Sequence, residues 1–319
     1  MKKSLTAEAL DLYWPTEWYD NTSAPKYGLK DWIKLKNFQI NSAPLSETSF
    51  TLNFSKEYSP LLSLGYDCNK FSSASIETLQ NASLSTSNMI KNSTAWLAIK
   101  NYYAAFYAAH ALLRLNGRSC TLVEAQEVKS LNEILNLFHQ TVPPIKGGYY
   151  SVVVDELNNT VSFTKATSRP HMQLWADFNS FISHVITGLQ SGSTRYQSVM
   201  LKLQSLQCNL TFKSHPDGNW LSQIRDEINY KHAHSTWFPY TGIKKANVEK
   251  IIQLVKKKPS DSLSINLDTY SKDDDLIRFF ATTTYLVEVC CEVIEHMQAV
   301  NLSTFPKHQP VKLLKMLNA

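Results

Sequence analysis

Glycine is scarce in this chain of 319 residues: there are nine, and none forms a GxxxxGK, GxGxxG or GxSxG pattern. Without those loops there is no backbone cradle for a nucleoside triphosphate, no dinucleotide fingerprint and no nucleophile elbow. Cysteine is equally uninformative as a framework. The five (Cys68, Cys120, Cys208, Cys290 and Cys291) contain no CxxC pair and are odd in number, which excludes a disulfide scaffold and a zinc ribbon. No HExxH occurs, so no metal site and no cofactor is expected. No apolar run reaches the length of about 18 residues that a bilayer span requires. Met1-Lys2-Lys3 is followed by Glu8 and Asp11 rather than by an apolar stretch, so neither signal peptide nor membrane association is expected, and the chain reads as cytoplasmic.

What is present is a large apolar and aromatic complement, 43% and 11% of residues, enough for a substantial core. The net charge of +5 permits contact with nucleic acid without demanding it. The lysine runs Lys244-Lys245 and Lys256-Lys257-Lys258 read as solvated helix ends.

Residues 1–90 differ from the rest: they are rich in Ser, Asn and Thr and interrupted by Pro15, Pro25, Pro44 and Pro60. Ser49 to Phe54 alternates polar and apolar residues and predicts a half-buried strand. Trp14, Trp18, Tyr19 and Trp32 imply that this irregular extension either wraps over a helical body or docks on a protein partner.

From residue 91 the pattern is helical. Trp96, Ile99, Tyr103, Phe106, Tyr107 and Leu113 recur at helix spacing up to Gly117, with Ala104, Ala105, Ala108 and Ala109 leaving room for a neighbouring helix. His110, on the apolar stripe, reads as a core histidine. Further helices are expected over 123–138, 171–190, 196–206, 220–230 and 247–257, and from Asp273-Asp274-Asp275 to about Val300. Tyr149 to Val154 and Val161 to Thr164, joined at Asn158-Asn159, predict a small hairpin between helices. The fold class is therefore mainly α: a helical domain over 91–319 with a minor β insertion, preceded by the extension over 1–90.

The densest chemistry lies in Arg225-Asp226-Glu227-Ile228-Asn229-Tyr230-Lys231-His232-Ala233-His234. Arginine forks onto phosphate oxygens, and imidazole exchanges protons near neutral pH. If one helix runs from Arg225 through His232, the two share a face about 10 Å apart along the axis. Trp237, Phe238 and Tyr240 follow, either as stacking surfaces for unpaired bases or as a turn packed around Pro239.

The helix Asn101-Tyr102-Tyr103-Ala104-Ala105-Phe106-Tyr107-Ala108-Ala109-His110-Ala111-Leu112-Leu113, followed later by Arg225, Asp226 and His232, resembles the HEPN (higher eukaryotes and prokaryotes nucleotide-binding) superfamily, over about residues 91–300. Its motif is an Arg, a polar residue, and a His four to six residues further on. The commonest spacing falls here on Tyr230, so His232 fits only the longer variant. The resemblance implies a HEPN-like bundle and metal-independent RNA cleavage to a cyclic phosphate and a 5′-hydroxyl. His232 would act as general base or acid, Arg225 would stabilise the phosphate, and Asp226 would orient Arg225 or polarise a histidine. His234 is a second proton-transfer candidate, and Tyr230, Lys231 and Trp237 are candidate RNA contacts. The resemblance further implies a homodimer and a toxin-like or antiviral-defence effector. The alternative is a non-catalytic scaffold or sensor subunit of the same fold.

Overall fold

In a computed structural model of the protein, residues 4–20, 27–41, 46, 48–90, 92–138, 143–192, 194–257, 265–300 and 310–318 are described. Pro25, Pro44 and Lys258 lie outside them. The fold is mainly α. Its centre is a pair of long helices, α4 (Pro60–Ser85) and α5 (Ala95–Leu115), packed along one another and backed by α11 (Asp275–Ala299). All four small residues Ala104, Ala105, Ala108 and Ala109 are fully buried. The close approach they allow brings the Ser75 hydroxyl within 2.8 Å of the Ala104 carbonyl, to which it donates. Gly117, at φ +66, follows the α5 cap in a left-handed conformation that glycine adopts without strain. Asp274 caps α11, accepting from Leu276 N–H at 2.9 Å.

The expected hairpin is β4 (Gly148–Asp155) and β5 (Thr160–Lys165), but it is not a minor insertion. It forms the middle of a five-stranded antiparallel sheet in which β1 (Phe38–Ile40), β2 (Ser49–Phe54), β5, β4 and β3 (Arg118–Val123) lie side by side in that order. On one side β3 pairs with β4, and on the other β2 pairs with β5 and carries β1. The alternation read in Ser49–Phe54 is the observed burial pattern, with Phe50, Leu52 and Phe54 inward. Phe50 lies opposite Phe163, their rings stacked at 4.7 Å.

Residues 1–90 are thus less irregular than their composition suggests. Besides two strands they supply the whole of α4, whose Pro60 starts the helix behind a Ser59 cap instead of breaking one. Trp14, Trp18 and Trp32 are buried in this chain's own core, the indoles of Trp18 and Trp32 donating to the carbonyls of Leu115 (2.9 Å) and Tyr58 (2.7 Å). Of the two expectations for the extension, wrapping over the helical body is what those rings do. Among the described residues no helix is long and apolar enough to cross a membrane.

Around this frame stand α1 (Leu5–Asp11), α2 (Glu17–Asp20), α3 (Leu29–Leu35), α6 (Ala125–Phe138), α7 (Pro170–Gln190), α8 (Gln197–Leu210), α9 (Trp220–Lys231), α10 (Lys245–Val255) and α12 (Pro310–Asn318). For the site, the important contact is α9 against α5; Leu221, Ile224, Arg225 and Ile228 form the buried stripe of α9 at helical spacing, and Arg225 reaches Tyr102 of α5.

Candidate functional site

Arg225 sits on that inward stripe and is 6% exposed. Its guanidinium carbon lies 5.2 Å from the centre of the Tyr102 ring, and Nη1 meets Asp226 Oδ1 at 2.8 Å. Asp226 is thus the ion-pair partner of Arg225. The buried Nε of Arg225 has no hydrogen-bond acceptor.

The helix does not continue to His232. It closes on the Glu227 carbonyl, which accepts from the backbone N–H groups of His232 and Ala233, and His232 turns left-handed at φ 52. The seven-residue relation that would put Arg225 and His232 on one helical face is thereby broken. Arg225 faces the core, and His232 faces solvent with its ring centroid 5.5 Å from that of Trp237.

The turn holds the second histidine differently. His234 Nε2 is 2.9 Å from Glu227 Oε2, and Glu227 also accepts from Gln223 at 2.8 Å. Burial works against the Glu227 charge, but the hydrogen bonds from Gln223 and His234 outweigh it and hold the carboxyl below its usual range. The carboxylate in turn fixes the orientation of the imidazole.

His232, His234, Ser235 and Tyr240 all have positive φ without being glycine. Each such conformation costs about 1–3 kcal/mol and persists only where the surroundings impose it, most often at functional sites. Tyr230 (72% exposed) and Phe238 (83%) stand in solvent beside exposed Lys231. Trp237 is half-buried, donating to Ile228 O at 2.8 Å and meeting exposed Trp96 edge-on at 5.7 Å. Trp237 is thus a packed anchor of this turn, while the Phe238 ring is exposed and meets half-buried Tyr240 edge-on at 5.9 Å.

Behind Arg225 lies a network missed in the sequence. Tyr102 Oη accepts from Trp175 Nε1 at 3.1 Å, since an indole only donates, and lies 2.9 Å from His171 Nδ1. Burial, and then the charge of Arg225, lower the His171 pKa to about 4, while burial raises that of Tyr102 to about 12. Both are therefore neutral at pH 7. The available signal was the i, i+4 series Tyr102, Phe106, His110, Arg114, too polar at its end for a simple core stripe.

No group of three or more His, Cys, Asp or Glu suited to a metal ion occurs among the described residues. Comparison with known proteins gives no relative: no family model, no curated protein and no solved structure matches this chain.

Proposed function

We propose that this chain is a metal-independent endoribonuclease of HEPN type that acts at the end of α9, as a toxin-like or defence effector. The observation that carries the reading is the pairing of two imidazoles on one strained turn, His234 held by Glu227 and His232 open to solvent on Trp237. Cleavage by an internal 2′-hydroxyl needs a base to take its proton and an acid to protonate the departing 5′-oxygen. His234, oriented by its carboxylate, serves as one, and His232 as the other. The 2′-oxygen bonds to phosphorus as the bond to the 5′-oxygen breaks, leaving a cyclic phosphate.

Lys231, exposed at the last helical position, is better placed than buried Arg225 to meet the phosphate charge. Arg225 acts from behind, fixing Asp226 and the α5–α9 contact. Tyr230 and Phe238 offer faces on which unpaired bases stack. The reading carries with it a homodimer, in which the turns of two copies form one cleft.

A second reading, a non-catalytic scaffold or sensor of the same fold, is favoured by one observation: the arginine of the motif is spent on Tyr102 and Asp226 inside the protein. Purified wild type, His234→Ala and Arg225→Ala incubated with RNA in the presence of chelator separate the two. Cleavage to cyclic-phosphate ends that is lost in His234→Ala supports the nuclease. RNA left intact by wild type, including in cells undergoing phage infection, supports the scaffold.

A further inference from the structure

His171 also lines a cavity of about 540 Å³, between α3, α4, α5 and the β3–β4 edge of the sheet. This is the size of pocket that takes a small organic ligand. Its floor holds Arg114, 3% exposed. Arginine remains charged at any ordinary pH, and a buried charge without a counter-ion is costly. Among the described residues no carboxylate lies within 4 Å of Arg114; Asp67, which also lines the cavity, favours its charge from farther away while accepting from Leu29 N–H at 3.0 Å.

Its Nη1 reaches the His110 carbonyl at 3.1 Å and His110 Nδ1 at 2.9 Å. Since a guanidinium only donates, that nitrogen of His110 is an acceptor and the ring is neutral, which burial and then the Arg114 charge enforce. Arg114 Nε is buried with no acceptor at all. The other cations of the cavity differ in state. Lys34 pairs with Asp31 (3.0 Å) and Glu127 (3.3 Å), and Lys30 with Glu124 (2.6 Å). Lys70, exposed at the rim, has no such partner among the described residues, its ammonium lying 4.4 Å over the Tyr66 ring.

Arg114 and Lys70 thus face one cavity without an ion pair among the described residues, Arg114 with a buried N–H that has no acceptor. The walls between them hold flat aromatic rings. Phe71 carries the Arg114 guanidinium at 4.3 Å and the His110 ring at 4.6 Å, and Tyr103, Phe106 and Tyr149 also line the cavity, with Asp67 and Thr121 among its polar groups.

We propose that this cavity is a binding site for a small ligand carrying a phosphate monoester on a planar apolar body, with the phosphate held by Arg114 and Lys70. A phosphate offers oxygens to both cations at once where a carboxylate reaches one, and the guanidinium fork fits those oxygens. The planar body occupies the aromatic walls. The site shares neither Arg114 nor Lys70 with the RNA-cleaving turn, so its failure would leave that reading untouched.

The test is calorimetric titration of the full chain with three probes: phenyl phosphate, inorganic phosphate and benzoate. Phenyl phosphate is expected to bind wild type at least about tenfold more tightly than either of the others, and Arg114→Met to lose at least about tenfold of that affinity. Lys70→Met, a change at an exposed rim position that leaves the core intact, is expected to lose a few-fold, and it carries the test should Arg114→Met not fold. Benzoate binding as well as phenyl phosphate would overturn the phosphate assignment. Absence of binding to folded wild type at millimolar phenyl phosphate, or equal binding by wild type and both folded variants, would overturn the site.

Discussion

His234 Nε2 and Glu227 Oε2 meet at 2.9 Å across the end of α9, joining a residue of the last helical turns to one beyond the helix. A carboxylate that holds an imidazole in place at a partly exposed site is how a proton-transfer group is prepared. The same contact folds the turn back on the helix, so that Trp237 packs against Ile228 and His232 is turned outward.

The surface beside this pair is expected to bind single-stranded RNA through stacking. Tyr230→Ala and Phe238→Ala each remove a solvent-exposed ring. Each should weaken binding of an unstructured oligonucleotide by about 1–3 kcal/mol. Melting temperature should barely move, because neither ring is buried. Fluorescence anisotropy and thermal denaturation on the same samples check both halves.

Tyr102→Phe keeps the ring beneath Arg225 and deletes the hydroxyl. Trp175 Nε1 loses its acceptor and His171 Nδ1 its hydrogen-bond partner, inside a buried cluster. The expected destabilisation is about 1–3 kcal/mol in chemical denaturation. A stability equal to wild type would show that the hydroxyl is not the hub of that network.

Stability is also expected to depend on pH through His171. Its folded pKa of about 4 lies below the unfolded value near 6.5, so between those pH values the unfolded chain binds a proton that the folded one does not. Stability must therefore fall as pH drops from about 6.5 towards 4, and this contribution is flat above pH 7. The full shift corresponds to about 3 kcal/mol, and discounting for the partial exposure of the ring leaves about 1–2 kcal/mol. Denaturation midpoints of wild type and His171→Gln across pH 4–7 check this, the variant losing that part of the slope.

The N-terminal strands are expected to be indispensable to the sheet. Phe50→Ala removes a fully buried ring stacked on Phe163 and should cost about 3–5 kcal/mol. It should also leave β5 prone to edge pairing, visible as aggregation on heating.

How far these features were legible in the sequence follows from where the pattern was local. The α5 and α11 helices and the β2, β4 and β5 strands carry their periodicity in their own residues, and Asp274 and Gly117 mark their ends as capping chemistry requires. The α4 helix was hidden by its serines and asparagines, poor helix formers in isolation. Here Ser72 and Ser85 donate back to carbonyls four residues earlier, and Ser75 donates across to α5. The β3 strand escaped notice because its burial does not alternate.

In the candidate site, the decapeptide from Arg225 to His234 announced its chemistry but not its geometry. Whether a helix reaches His232 depends on a left-handed residue that no periodicity encodes. The Arg114 cavity is assembled from α3, α4, α5 and the sheet, distant parts of the chain whose meeting is tertiary.

The most direct measurement is an RNA cleavage assay on purified wild type, His234→Ala and Glu227→Gln in chelator, scored for 2′,3′-cyclic phosphate ends. Wild type is predicted to cleave, His234→Ala to lose about 10²–10⁴-fold in rate, and Glu227→Gln to fall between. Cleavage by His234→Ala at the wild-type rate would contradict the account.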